Sequence, residues 1–222
     1  IPIFTIKVMD NSIVKYNDFI ELSRLLKGDF HTDLKWRLLY ATDASIYREI
    51  PIAVALPANK DDIKTLIHFA TKNKIPLVPR TAGTSIAGQV VGNGIIVDVS
   101  KYMNSVIEIN PVHKYAVVQP GVILDELNIQ LKPYSLFFAP ETSTSNRCMI
   151  GGMTGNNSCG SHSLLYGSTR NHIISVETLL SDGSEVVFEP LSKNDFFKKC
   201  NLNTLEGNLY KQIYNILSDK SF

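Results

Sequence analysis

The residues best suited to chemistry lie in two glycine clusters. The first is Pro79-Arg80-Thr81-Ala82-Gly83-Thr84-Ser85-Ile86-Ala87-Gly88-Gln89. It follows the apolar run Ile75-Pro76-Leu77-Val78 and precedes another, Ile95-Ile96-Val97-Asp98-Val99. Small residues and hydroxyls leaving a strand suit a loop whose successive backbone N–H groups form a nest for an anion, phosphate above all. The Lys and Ser/Thr that complete a Walker loop are absent, because Gly88 leads into Gln89-Val90. The loop also returns to an extended run instead of opening a helix, which departs from the Rossmann glycine turn. Taken alone, it fits an anion nest and a plain structural turn equally well.

The second cluster is Ile150-Gly151-Gly152-Met153-Thr154-Gly155-Asn156-Asn157-Ser158-Cys159-Gly160-Ser161-His162, with Tyr166-Gly167 just beyond. Its glycines remove side chains where a flat ligand or a phosphate could approach the backbone. Asn and Ser groups offer donors and acceptors to a heteroaromatic edge. A Gly/Asn-rich surface loop is the competing reading. The polar stretch from 141 to 167 lacks apolar periodicity and is long for a connection, which favours a functional loop.

Periodic segments around these clusters must position them. A helix is expected from Tyr16 to Lys27, with Phe19, Leu22, Leu25 and Leu26 on one face and Gly28 at its end. Thr42-Asp43-Ala44-Ser45 reads as a turn or a short capped helix. Ala53 to Leu56 is a strand ended by Pro57, and Ile63, Leu66, Ile67 and Ala70 mark a helix started by Asn59 and the charges of Asp61-Asp62. With a strand at Ile75 to Val78 this makes a parallel βαβ unit, and the first cluster lies at the strand's carboxyl end, where such sheets place ligands. Ser105–Ile109 and Tyr115–Gln119 pair as antiparallel strands. A helix then runs from Gly121 to near Pro133, and Leu136-Phe137-Phe138 is a short strand leading to Pro140. Val176–Leu180 and Glu185–Phe188 form a hairpin about Asp182-Gly183. Tyr210 to Leu217 is the last helix.

Composition narrows the class. Hydrophobic content of 44% and charged content of 19% are those of an ordinary globular protein. A net charge of +1 supplies no footprint for nucleic acid, so a bound phosphate must be held mostly by backbone dipoles. No apolar run is long enough to span a bilayer, and Ile1 to Lys7 lacks the features of a signal peptide. Cys148, Cys159 and Cys200 form no C-x-x-C pair, which argues against a disulfide framework or a cysteine metal site and for a cytoplasmic setting. His31, His68 and His113 have no partners at metal-ligand spacing. Cys159 reads as a small packed residue rather than a nucleophile.

The combination P-R-x-x-G-T-S-x-x-G-Q, P-E-x-S-T, I-G-G-M-x-x-N-N-S-C-G-x-H-S and Y-G resembles the FAD-binding domain of FAD-linked oxidases, the vanillyl-alcohol-oxidase or p-cresol-methylhydroxylase (PCMH) type. Within it the nearest likeness is the D-lactate, glycolate and D-2-hydroxyglutarate dehydrogenase branch. Tyr40 to Ser45 and Asn157 to Gly160 look like the large members that carry a C-terminal iron–sulfur part. The resemblance covers about residues 36 to 188.

It implies an α+β fold: a small parallel βαβ subdomain, about 46–100, then a mixed and antiparallel sheet subdomain with flanking helices, about 101–222, after a helical lead-in, 1–45. It implies that Pro79, Arg80, Thr81, Ala82, Gly83, Thr84 and Ser85, with Gln89 nearby, wrap the FAD pyrophosphate. Pro140, Glu141, Thr142 and Ser143, and Ile150, Gly151 and Gly152, would pass close to the flavin. Asn156, Asn157 and Gly160 would line the same cavity, and His162 either lines it or hydrogen-bonds within the loop. Tyr166 and Gly167, with Ile173 and Ile174, would lie toward adenine. Thr81 replaces the usual glycine. Thr84 stands where covalent members carry a His, so FAD is expected to bind non-covalently. Asn171 replaces a common Asp.

The implied activity is a FAD-dependent oxidoreductase acting on the CH–OH group of a small 2-hydroxy acid. An aldonolactone oxidase, an enolpyruvyl-sugar reductase and a fragment without activity remain as alternatives. The family's substrate-orienting Arg and its metal-binding and catalytic His belong to a cap region beyond this sequence. No catalytic residue is therefore assigned, the chain reads as an amino-terminal piece of a longer enzyme, and any iron–sulfur cluster would sit in a later part. The electron acceptor is not legible.

Overall fold

The computed structural model describes residues 16–218. The Ile1–Lys7 stretch read above for a leader lies outside them. The chain opens with α1 (Tyr16–Leu25), β1 (Asp29–His31), α2 (Leu34–Leu39), β2 (Ala53–Leu56), α3 (Lys60–Asn73), β3 (Leu77–Arg80) and β4 (Ile95–Asp98). The four strands form one sheet in the order β1-β2-β4-β3. Both β2 and β3 run parallel to β4, and β1 closes the edge antiparallel to β2. Residues before 46 thus supply an edge strand and two covering helices, α1 and α2, to this sheet.

Every residue of β2 and β4 is buried, as expected of parallel strands covered on both faces. Ala53, Ala55, Ile95 and Val97 face α1 and α3 through Leu22, Leu26 and Leu66. Val54, Leu56 and Ile96 face the other way, onto Trp36 and Tyr40. Asn59 caps α3 by accepting from the amides of Asp61 and Asp62.

The second half holds the hairpin β5 (Val106–Asn110) and β6 (Tyr115–Val118), α4 (Leu124–Leu131) with a 3-10 turn at Lys132–Tyr134, α5 (Ile150–Asn156) and α6 (Ser163–Tyr166). A 3-10 turn at Thr169–His172 precedes the hairpin β7 (Val176–Leu179) and β8 (Glu185–Phe188), followed by α7 (Lys193–Cys200) and α8 (Leu205–Ser218). Its core joins Leu124, Leu127 and Leu131 of α4 to Ile150 and Met153 of α5, with the β5–β6 hairpin packed against them.

Several expectations need correction. The strand placed at 75–78 is Leu77–Arg80, because Ile75 still closes α3 through its amide on the Ala70 carbonyl at 2.9 Å. Pro79 and Arg80 are therefore strand residues. Residues 136–138 form no strand, since the Phe138 amide donates to Asn128 Oδ1 at 2.7 Å instead of to a neighbouring strand. The polar stretch 141–167 contains two helices, α5 and α6, and is not one loop. The last helix starts at Leu205, ahead of the Tyr210 that the apolar periodicity indicates, and there Glu206 is buried and paired with Lys199 at 2.6 Å.

Asp62 exceeds a helix-start charge. It is 3% exposed, and its carboxylate accepts from the amides of Lys27 and Gly28, both at 2.9 Å, and of Ala58 at 2.8 Å. It ties the end of α1 to the β2–α3 turn. Asp62→Ala should leave those three part-buried N–H groups without their acceptor and lower the unfolding free energy by about 3 kcal/mol, read by denaturant unfolding. A loss below about 1 kcal/mol would remove this anchor from the account.

The β7–β8 hairpin docks on α3. Glu185 receives the ammonium groups of Lys60, at 2.9 Å, and Lys64, while the Gly183 turn sits on the His68 ring. The hydrogen bonds from Lys64 and then Lys60 pull the Glu185 carboxyl down to about 2 from an ordinary 4.5. Because the folded value is the lower one, this contact is intact above pH 4.5 and is lost as pH falls through about 2. NMR should show the Glu185 carboxyl titrating near 2, and E185Q should lose that part of the acid transition.

Candidate functional site

The strand β3 delivers the first cluster at the carboxyl end of the sheet. Among the described residues, the backbone amides of Thr81 through Ile86 donate to no protein acceptor. The loop is held by other groups. Gly83 accepts from the Ala44 amide at 3.1 Å, and Arg80 Nη1 reaches the carbonyl of Thr42 at 2.9 Å. Gly83 has φ +67, and a Cβ there would lie 2.5 Å from Arg80 Nη2, so glycine is required twice over. Unpaired amides gathered in one turn leave a strong set of donors for an anion.

This loop and the second cluster meet. The position of a Cβ on Gly152 would be 2.4 Å from Thr81 Oγ1, and Gln89 Nε2 donates to Asn156 Oδ1 at 3.4 Å. Thr81 is not among the residues with positive φ, which explains how a β-branched residue fits where the resemblance expects glycine. Its hydroxyl occupies the space that Gly152 leaves.

α5 is also joined to the other predicted segments. Asn157 ends it with φ 48, and its Oδ1 accepts from the Arg170 amide at 2.9 Å. Thr169, fully buried, donates through both N and Oγ1 to the Ser158 carbonyl, at 2.9 and 2.7 Å. A Cβ on Gly160 would lie 1.8 Å from the Glu141 carbonyl oxygen, and His162 Nδ1 is 2.7 Å from Glu141 Oε2. Pro140 is buried, and Thr142 Oγ1 donates to Cys148 Sγ at 3.2 Å. Together with Glu141 and His162, Pro140 borders a cleft of about 260 Å³ beside Asn128 and Phe138. A larger cleft, about 410 Å³, lies between Tyr47–Glu49 and Ala87–Asn93.

Other predicted residues take different places. Tyr166 packs edge-on against Phe137 at 5.6 Å, and its carbonyl meets His172 Nε2 at 2.7 Å. Gly167, with φ +79, clears Asn171. Asn171 closes a capping box with Ser168 through its amide oxygen, so the missing carboxylate leaves the turn intact. Ile174 is exposed, and Ser143 lies on the surface. Cys159 is exposed rather than packed.

Asp43 escaped sequence reasoning as a site residue. Its Oδ1 accepts from the Ser45 amide at 2.8 Å, while the buried Oδ2 has no partner among the described residues. It follows Thr42, whose carbonyl Arg80 holds, and precedes Ala44, whose amide meets Gly83. The only signal was its place in the Tyr40–Ser45 stretch.

The site fits a dinucleotide. Of the four glycines in the second cluster, Gly151 packs against Pro120, Gly152 against the Thr81 hydroxyl and Gly160 against the Glu141 carbonyl. Gly155 alone has nothing within 4 Å of its missing Cβ, so it presents bare helix backbone beside Asn156. A flat ring can lie against such a surface while the free loop amides take a diphosphate.

Comparison with known proteins agrees. A family model described as FAD binding domain matches residues 51–189. The chain is 36% identical over 206 residues to D-2-hydroxyglutarate dehydrogenase of Pseudomonas putida, covering 90% of this chain and 20% of that protein. It is 40% identical over 190 residues to the Escherichia coli K12 enzyme of the same name, covering 84% and 19%. The chain thus spans about a fifth of the length of these curated relatives. A p-cresol methylhydroxylase structure with substrate bound superposes with a TM-score of 0.67 at 19% identity, over 78% of this chain and 36% of that one. The fold is the α+β fold of PCMH-type flavoproteins, and the chain belongs to the FAD-binding domain family.

Proposed function

We propose that this chain holds FAD non-covalently within a longer dehydrogenase that oxidises the CH–OH group of a small 2-hydroxy acid, with D-2-hydroxyglutarate, D-lactate and glycolate as the substrate class. The meeting of the Thr81–Ile86 loop with α5 carries this reading. It sets unpaired amides beside Gly152, three residues before the open backbone of Gly155, and relatives named for that chemistry align over both clusters' segments. FAD supplies the two-electron acceptor for the alcohol. The chain's own residues bind and orient: the loop amides take the diphosphate, and Pro140–Ser143 and Ile150–Gly152 flank the ring. Asn156, Asn157, Gly160 and His162 line the cavity, while Tyr166–Gly167 and Ile173–Ile174 border adenine. The FAD-holding unit extends over 46–222, with α1, β1 and α2 added from the lead-in.

No helix among the described residues is long and apolar enough to cross a membrane. With three free cysteines, a cytoplasmic setting is the one we propose. Thr84 in place of a covalent His supports a removable cofactor.

In the full-length protein, saturating FAD should stabilise against unfolding, by about 2.7 kcal/mol at 100 times Kd. Acid precipitation should leave the flavin in the supernatant; flavin in the pellet would refute the non-covalent reading. Turnover of 2-hydroxy acids with a dye acceptor tests the substrate class, and turnover only of an aldonolactone would overturn it.

The two glycine roles separate by substitution. Gly160→Ala drives a Cβ into the Glu141 carbonyl and should cost the apoprotein about 1–3 kcal/mol. Gly155→Ala should leave apoprotein stability unchanged or raise it by up to about 1 kcal/mol while weakening FAD binding. Thermal unfolding with and without FAD distinguishes these outcomes, and equal FAD affinity in Gly155→Ala would take the ring off this face.

A further inference from the structure

The side chain of Arg80 does something that the loop's backbone cannot. Its Nη1 donates to the carbonyls of Thr42 at 2.9 Å, Tyr40 at 3.4 Å and Val90 at 3.5 Å. Those carbonyls come from the segment between β1 and β2 and from the far end of the loop itself. The rest of the guanidinium lies directly beneath Gly83, with Nη2, Cζ and Nε at 2.5, 2.9 and 3.1 Å from where a Cβ would stand. The chain between Arg80 and Val90 is therefore moulded around the guanidinium of its own first residue.

The guanidinium is fixed in turn. It lies over the Tyr40 ring at 5.1 Å from the centroid, a cation–π contact. The Tyr40 hydroxyl donates to Asp98 Oδ2 at 2.6 Å, and Asp98 Oδ1 accepts from the Ser100 amide at 2.8 Å. Asp98 is the register partner of Arg80 across the parallel strands and is only 5% exposed. Burial, and then this hydrogen bond, keep the Tyr40 phenol protonated well above its usual range. Asp98, Tyr40 and Arg80 form a chain of contacts from the end of β4, through the end of α2, to the floor of the loop.

We propose that Arg80 is a positioning residue for the dinucleotide: its guanidinium sets the Thr81–Ile86 amides in their anion-facing arrangement and places one fixed positive charge behind them, without itself touching the ligand. This rests on the reading that the loop holds the FAD diphosphate. Lys in its place keeps a charge but has no planar fork to span several carbonyls. Met keeps the approximate length and loses both.

The experiment compares FAD with riboflavin, which lacks the diphosphate, by fluorescence titration of the full-length apoprotein. For the wild type, FAD should bind more tightly than riboflavin. In R80M the ratio of the two affinities should fall by about 10- to 100-fold, with R80K between the two proteins. The 31P resonances of bound FAD should shift in R80K. General loosening of the fold weakens both ligands alike, so an unchanged ratio in R80M would overturn the proposal. If R80M does not fold by circular dichroism, an R80K ratio and 31P spectrum equal to wild type would overturn it. Wild-type protein that binds neither ligand would refute the FAD reading itself, and the role of Arg80 with it.

Discussion

A run of backbone amides that no protein group accepts must be supported from outside its own hydrogen bonding. Ordinary turns stabilise themselves through carbonyl-to-amide bonds; among the described residues, the amides of Thr81–Ile86 make none. The shape of this stretch comes from what surrounds it: the Arg80 guanidinium below, Gly83 bonded to Ala44, and the face of α5 alongside. Each of these supports has its own supports. Arg80 depends on Tyr40 and Asp98, and α5 depends on the core made with α4. The two cores of the chain are thus needed together, one for the loop and the other for the helix that faces it.

Close approach governs the glycine pattern more than ligand access does. Gly28 lies against the Leu56 carbonyl, Gly94 against that of Pro76 and Gly160 against that of Glu141. These are places where two backbones pass with no room for a methyl group, and each joins segments separated in sequence. In the second cluster Gly152 meets only the Thr81 side chain, and Gly155 has no neighbour within 4 Å of its missing Cβ. A glycine-rich motif can therefore be read two ways in one stretch: most of its glycines let the protein touch itself, and one leaves a surface bare.

How much of this was legible depends on how local its cause is. β2, α3 and the β7–β8 hairpin follow from short-range patterns: an apolar run stopped by proline, an Asn cap, an Asp-Gly turn. β1 is three residues long and half-buried, too short for any period to register. α5 carries three glycines in seven residues, so propensity argues against a helix that tertiary packing of Ile150 and Met153 enforces. Leu136, Phe137 and Phe138 have the composition of a strand, yet the bond that decides their backbone comes from Asn128 on α4. For the candidate site, motif resemblance singled out two segments that the fold brings into contact, and the contact of Thr81 with Gly152 explains the departure at Thr81. The directions of Arg80, Asp43 and Asp62 were beyond reach, since each depends on partners that only the folded chain brings near.

The electrostatics of the site follow from how little net charge the chain carries. At +1 its net charge contributes little to attracting a diphosphate. Backbone dipoles fixed in a turn need no counterion and carry no net charge, so they can be strong locally without altering the surface. Their weakness is that they repel one another when aligned. A cation beneath such a turn would worsen that repulsion if it were unpaired, but the Arg80 guanidinium donates to the carbonyls of Tyr40, Thr42 and Val90. The carbonyls thereby offset the guanidinium, and on the proposed reading an arriving diphosphate would meet donors already in place rather than donors it must first reorganise.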